Sequence, residues 1–346
     1  MGKINIFNDP VYGFVGIPRD ILFSIVEHPY FQRLRRIKQL GLTDLVYPGA
    51  HHSRFHHTLG AVHLMTEALE NIKLKGVKIT DEECEAAQMA ILLHDVGHGP
   101  FSHALENKII VGGSHEDISL AYMEFFNEQL GGRLNMAIEI FKGTYHRPFL
   151  CQLVSGQLDV DRLDYLRRDS FYTGVSEGVI GSDRIIKMMN VVDDELVIDE
   201  KGIYSVEKFL IARNLMYWQV YLHKTVLGAE MLLVKILERA VKLHKKGVFL
   251  TNRSNLNFLL NQVNISEIGT PKVLNTFSSI DDYDILLACK DWTNHQDPIL
   301  AKLCTRLVNR ELFKVELRNG PLDQDYLNTI LDEANGYTED EKLQIA

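Results

Sequence analysis

Apolar positions recur at spacings of three and four along most of the 346-residue chain, a pattern that predicts a mainly α-helical protein. Residues 18–40 keep this spacing between Pro18, suited to a helix start, and Gly41, suited to the position beyond its end. Residues 80–95 open on Thr80-Asp81-Glu82-Glu83, an N-cap with acids in the first turn, and run through an apolar stretch to His94-Asp95. This segment is apolar nearly all round, which predicts a buried helix. Gly97-His98-Gly99-Pro100-Phe101 must then end or bend it. Residues 190–204 alternate on either side of a polar turn and predict a short β-hairpin. Residues 206–246 predict a helix about 60 Å long at ~1.5 Å per residue, bent, with Gly228 as the bend point. Residues 247–346 are more polar. They predict a smaller C-terminal lobe of mixed structure, packed on a core of residues 1–246.

Composition narrows the class. With 46% apolar residues the chain can bury a core without disulfide or metal staples. A net charge of −9 argues against nucleic-acid binding, which needs a concentrated positive surface. The basic run Arg33, Arg35, Arg36 and Lys38 reads instead as a helix face at a subunit contact or an anion site. Cys84, Cys151, Cys289 and Cys304 show no paired spacing, which suits a reducing compartment and excludes a cysteine metal site. The N-terminal residues carry no cleavage pattern, and no stretch reaches the ~18 apolar residues of a membrane span. A cytoplasmic location without membrane contact is the expectation.

Histidine changes the picture most. Nine of the 14 histidines fall between His51 and His115, and imidazole is both a metal ligand and a proton donor near neutral pH. A buried helix ending in His94-Asp95 offers a nitrogen and a carboxylate oxygen suited to Mg, Mn, Fe or Zn. Such a pair alone is more often an ordinary helix terminus. It is accompanied, however, by His57 in SRFHHTLG, a third candidate ligand, with Arg54 one turn earlier suited to gripping a phosphate. In LDVDRLDYLRRD, the residues Asp161, Tyr165, Arg168 and Asp169 share a helical arc of about 100°, facing either a cleft or solvent. His57, His94, Asp95 and Asp161 together supply two imidazoles and two carboxylates. Arg213, Tyr217, Tyr221 and Lys224 form a further one-sided stripe, equally readable as a substrate face or as core tyrosines with surface cations.

These segments resemble the HD-domain deoxynucleoside triphosphate triphosphohydrolases. NDPVYG (8–13), FQRLRRIKQLGL (31–42), YPGAHHSRFHHTLG (47–60), HDVGHGPFSH (94–103), DVDRLDYLRRD (159–169) and YLHKTV (221–226) match in order, over roughly residues 5–230. The resemblance implies an HD-domain helical fold and a divalent metal held by His57, His94, Asp95 and Asp161. It implies triphosphate contacts from Arg54, Lys224 and Arg213. His103 would lie near the scissile phosphorus, with His98, Glu106 and His115 around it. Gln39, Tyr165, Asp169 and Tyr221 would surround the deoxyribose. The expected reaction is attack of water on the α-phosphorus, releasing deoxynucleoside and triphosphate, and the family's habit implies a homo-oligomer. Two departures stand out: His56 replaces a glutamate before the first metal histidine, and Glu106 replaces an aspartate. The family's nucleotide-activator site is matched at Asn8, Gln32 and Arg35 but not at Asn5 and Glu27, and no sterile-alpha-motif domain is evident. The competing expectations are an HD phosphohydrolase for a nucleoside monophosphate or cyclic nucleotide, and a nucleotide-binding regulator with little turnover.

Overall fold

The computed structural model describes residues 4–106, 108–317, 320 and 323–335, excluding the side chains of Ser102 and His103 among others. The chain opens with an antiparallel hairpin that periodicity did not predict. Strands β1 (Ile4–Asp9) and β2 (Gly13–Pro18) pair with Ile4 opposite Pro18. Val15 and Ile17 of β2 point into the core. Pro18 therefore closes a strand rather than opening a helix. The helix expected over 18–40 is two short ones, α1 (Ile21–Glu27) and α2 (Pro29–Gln32), followed by a 3-10 turn at Arg33–Arg36. The break lies at Pro29, because a proline ring disfavours helical backbone in the residue before it. His28 is accordingly extended, at φ −67° and ψ 139°.

Two long helices form the centre. Helix α3 (Arg54–Leu74) packs against α4 (Asp81–Leu93). The N-terminus of α4 is closed reciprocally: Glu83 N donates to Thr80 Oγ1 at 3.1 Å, and Thr80 N to Glu83 Oε2 at 2.9 Å. Its residues from Met89 through Leu93 are all buried, as the all-round apolar pattern predicts. The short helix α5 (Ser102–Leu105) and the two-residue strand β3 (Ile110–Val111) lead into α6 (His115–Gln129). Helices α7 (Asn135–Phe141) and α8 (Pro148–Val154) pack on α4, and α9 (Val160–Thr173) lies along α3.

After α10 (Ser182–Met188), strands β4 (Met189–Val192) and β5 (Glu195–Ile198) form the expected hairpin. Asp193 and Asp194 turn it with φ of 52° and 60°, the left-handed pair that fits the twist of a two-residue hairpin loop. The long helix does bend, but not at Gly228. Helix α11 (Ile203–Met216) ends in a π-helical turn at Tyr217–Tyr221, and α12 (Lys224–Lys245) restarts after an extended His223. Gly228 serves a close crossing instead: a Cβ there would lie 2.4 Å from the Phe313 carbonyl oxygen.

The C-terminal segment is mostly helical, with α13 (Ser254–Asn261), α14 (Pro271–Ser278), α15 (Asp282–Trp292), α16 (Pro298–Val308) and α17 (Gln324–Asn335). Its extended content among the described residues is β6 (Val263–Asn264), paired parallel with β3. One apolar core runs from Val15 to Phe313. Asp282, buried at the start of α15, accepts from Lys38 N at 2.8 Å and Phe101 N at 2.9 Å, one bond to each oxygen. Arg36 pairs with the adjacent Asp281. Helix α15 thus fastens two segments that line the cavity described below. An Asp282→Asn substitution turns an NH2 toward one of those amides. We expect it to cost about 1–3 kcal/mol in denaturant unfolding, and an unchanged midpoint would refute the clamp.

Candidate metal centre and active site

Three helix ends converge. Helix α3 presents Arg54 and His57 from its first turn, His94-Asp95 follows α4, and Asp161 stands in the first turn of α9. His57 Nε2 lies 3.1 Å from Asp161 Oδ1, 3.4 Å from His94 Nε2 and 3.7 Å from Asp95 Oδ2. His94 Nε2 lies 3.3 Å from Asp95 Oδ1 and 3.5 Å from Asp161 Oδ1. The ring nitrogens facing away are both engaged. His57 Nδ1 bonds Asp164 Oδ2 at 2.7 Å, and His94 Nδ1 bonds the Ile91 carbonyl at 2.7 Å. Imidazoles anchored at Nδ1 present Nε2 lone pairs to a cation, an arrangement typical of metal sites. Ligand atoms of His57, His94 and Asp161 lie within 4.8 Å of one another, and those of Asp95, His98 and His115 form a second such group beside them. Asp95 also bridges to Arg54 Nη1 at 2.5 Å and His98 Nε2 at 3.2 Å.

The charges fit a cation. Burial alone would lower the His57 pKa, but the hydrogen bonds its ring donates to Asp161 and Asp164 outweigh it and hold it up at about 10. Burial likewise opposes ionisation of Asp95, yet His94, His98 and Arg54 keep its carboxyl well below the usual range. With no metal, a proton on His57 offsets the carboxylates, and a divalent ion must displace it.

The support behind His57 was not expected. Asp164 accepts from Arg168 Nε and Nη2, both at 2.9 Å, and Arg168 Nη1 reaches Asp9 Oδ2 at 2.7 Å. Arg168 and Asp164 are fully buried, so Arg168 faces neither the cleft nor the solvent that periodicity left open for its arc. Gly60 makes room: a Cβ there would lie 2.0 Å from Asp164 Oδ1 and 2.2 Å from Arg168 Nη2. The Asp164/Arg168 spacing of four was the available signal. His56, the departure beside His57, closes the α3 cap by accepting from Ser53 N at 3.3 Å. Burial and Arg168 push its pKa down, so the ring stays a neutral acceptor.

A cavity of about 490 Å³ opens beside this centre. Its walls include Gln39, Arg54, Asp95, His98, His115, Asp161, Tyr165, Asp169 and Tyr221 of the residues expected at the site. Leu40, Phe101, Tyr217, Val226, Leu227 and Glu230 also line it. Asp169 has both oxygens engaged, by His52 Nε2 at 2.6 Å and Tyr221 OH at 2.7 Å. It therefore holds Tyr221 in the wall. His98 and His115 stack at 3.9 Å, and His115 Nδ1 bonds Glu106 Oε1 at 2.8 Å. Burial and Arg54 push His98 well below its ordinary pKa, so its ring is neutral. Lys224 and Arg213 are not among the lining residues. Lys224 is exposed at the start of α12, and Arg213 stands over the Tyr217 ring at 5.7 Å. The His103 side chain lies outside the described residues.

This scaffold, with histidines and aspartates gathered at converging helix ends, is that of an HD domain, and the HD domain model matches residues 54–166. The HD-associated region matches residues 180–254. A phosphohydrolase from Bacteroides thetaiotaomicron superposes with a TM-score of 0.92 at 53% identity, covering 99% of this chain and 86% of that one. The uncharacterized protein YwfO of Bacillus subtilis is 36% identical, over 90% of this chain and 72% of its own length. The deoxynucleoside triphosphate triphosphohydrolase SAMHD1 of Homo sapiens is 32% identical over 64% of this chain. The match covers 42% of that protein, so this chain spans less than half of it. The chain belongs to the HD-domain phosphohydrolase family.

Two outcomes follow from the geometry. Asp164→Asn should weaken Mn²⁺ affinity about 10–100-fold in titration calorimetry, with the fold retained. Because His57 must lose its proton, affinity should rise with pH between 6 and 9, with proton uptake by the buffer. A pH-independent affinity would contradict the His57 assignment.

Proposed function

We propose that this protein hydrolyses deoxynucleoside triphosphates to deoxynucleoside and triphosphate. The observation that carries the reading is a single cavity with the His57/His94/Asp95/Asp161 cluster and Arg54 in its lining or against it, and a wall of Tyr165, Tyr217 and Tyr221. Such a lining suits a phosphate and a sugar together. Relatives bearing the deoxynucleoside triphosphate triphosphohydrolase name support it, including a Dictyostelium discoideum protein 35% identical over 63% of this chain.

A divalent cation held by the four ligands would polarise a phosphate oxygen and lower the pKa of water. Water oxygen then bonds to the α-phosphorus, and the bond from phosphorus to the 5′ oxygen breaks. Arg54, fixed by Asp95, stabilises charge on the phosphoryl oxygens. The departing 5′ oxygen takes a proton, and His115, oriented by Glu106, is the described imidazole suited to hold it. His103 keeps the same role as an expectation. His98, neutral, hydrogen-bonds Asp95 and orients it. Gln39 Oε1 is buried without a partner at the cavity wall, an acceptor suited to a sugar hydroxyl. Arg213 and Lys224 contact the triphosphate in this reading only by moving toward the cavity.

The setting is also proposed. Among the described residues no helix is long and apolar enough to cross a membrane, and all four cysteines are free, which suits the cytoplasm. Ile203, Tyr204, Leu210, Ile211 and Trp218 leave an apolar face exposed along α11 and its π-helical turn, which supports self-association.

Incubating the Mn²⁺-loaded protein with each deoxynucleotide in H2¹⁸O should give deoxynucleoside and ¹⁸O-labelled triphosphate. Release of nucleoside monophosphate with diphosphate would sink the 5′ oxygen as leaving group, and ¹⁸O in the deoxynucleoside rather than in triphosphate would sink attack at the α-phosphorus. His115→Ala should lower kcat about 10²–10⁴-fold with little change in KM. Equal loss in KM and none in kcat would remove His115 from proton transfer.

A further inference from the structure

One stretch of the cavity wall belongs neither to the metal cluster nor to the tyrosines. Gly41, Phe101 and Glu230 meet there: a Cβ on Gly41 would stand 3.9 Å from Phe101 Cδ1 and 4.0 Å from Glu230 Oε1. Val226 and Leu227, about a turn before Glu230 on α12, continue the apolar lining. Glu230 is the carboxylate in this apolar stretch. Among the described residues it makes no hydrogen bond or ion pair, unlike Asp95, Asp161 and Asp169 in the same cavity. Burial pushes its carboxyl up to about 7, and no cation or donor among the described residues offsets that cost. A carboxylate lining an apolar cavity without a partner costs stability unless a ligand supplies donors.

We propose that Glu230 reads the base of the nucleotide and selects guanine. The inference rests on the nucleotide-hydrolase reading above. Two carboxylate oxygens match two adjacent N–H donors. Guanine presents such a pair, its N1–H and 2-amino group, along one edge. Adenine and cytosine place a donor beside an acceptor, and thymine places one donor between two acceptors. Each of the three therefore sets a lone pair against the carboxylate, which a site built for donors rejects. Phe101, Leu40, Val226 and Leu227 supply the apolar surroundings that a planar base requires.

The test compares kcat/KM for dGTP, dITP, dATP, dCTP and dTTP at pH 8, above the Glu230 pKa, with Mn²⁺ present. The intact protein should favour dGTP over dATP by at least about 10-fold, with dITP, which lacks the 2-amino group, between them. Glu230→Gln should reduce that ratio to about one through KM. Glu230→Asp, which keeps the charge but shortens the reach, should give an intermediate ratio, and thermal melting confirms folding of both. No guanine preference in the intact protein, or an unchanged ratio in Glu230→Gln, overturns the proposal. Calorimetric binding of deoxyguanosine, deoxyinosine and deoxyadenosine separates it from the reaction itself. Tighter deoxyguanosine binding that Glu230→Gln abolishes sustains Glu230 even if no triphosphate is released. Triphosphate release from all deoxynucleotides alike sustains the hydrolase and removes Glu230.

Discussion

The buried chain Asp9–Arg168–Asp164–His57 is the interaction on which the site depends. It alternates sign from the N-terminal hairpin, through α9, to an imidazole of α3. Burying any one of these charges alone would cost several kcal/mol. Buried together, with Arg168 bonded on both sides, they lock three segments into one geometry. His57 is then aimed by a carboxylate that cannot move, because Arg168 pins it. The hairpin that helical periodicity missed is thus part of the catalytic scaffold, through Asp9.

The same economy recurs around the cavity. Asp169 spends both oxygens on His52 and Tyr221 and so fixes a wall rather than greeting a ligand. Asp282 ties the Lys38 and Phe101 segments to the C-terminal helices. Asp169 and Asp282, whose oxygens are both taken by groups away from the cation site, are scaffolding. The carboxylates beside the candidate cation site, Asp95 and Asp161, and the one left without a partner among the described residues, Glu230, are the candidates for chemistry. That distinction is one of hydrogen-bond accounting, and it depends on which groups the fold brings within about 3 Å.

Local interruptions in the helices also matter to function. The π-helical turn at Tyr217–Tyr221 and the extended His223 swing Tyr217 and Tyr221 toward the cavity and set Lys224 outside its lining. A continuous helix would have kept all four stripe residues on one side, as spacing alone suggested. Pro29 has a comparable effect upstream. It breaks the first helical segment and leaves Arg33 turned inward, where it donates to the Val96 and His98 carbonyls and so supports the loop after Asp95.

Some of this was legible in the chain itself. Helical spacing, the Thr80 cap, the Asp193-Asp194 hairpin turn and the grouping of His57, His94, Asp95 and Asp161 into a candidate site all follow from local chemistry or motif, and local chemistry is what sequence encodes directly. The helix over 18–40 and the bend at Gly228 were misjudged, since one proline and one π-helical turn override periodicity over several residues. Arg168, read as facing a cleft or solvent, is buried, and Asp164, Asp9, His52 and Asp282 were not singled out. Apart from Arg168, four residues from Asp164, their partners lie 107 to 244 positions away, as Asp282 with Lys38 does at 244. Sequence determined the family, the helices and the residues able to bind a cation. Only tertiary packing decided which carboxylates are neutralised by neighbours and which remain open to a ligand, because that depends on distance and desolvation rather than on order along the chain.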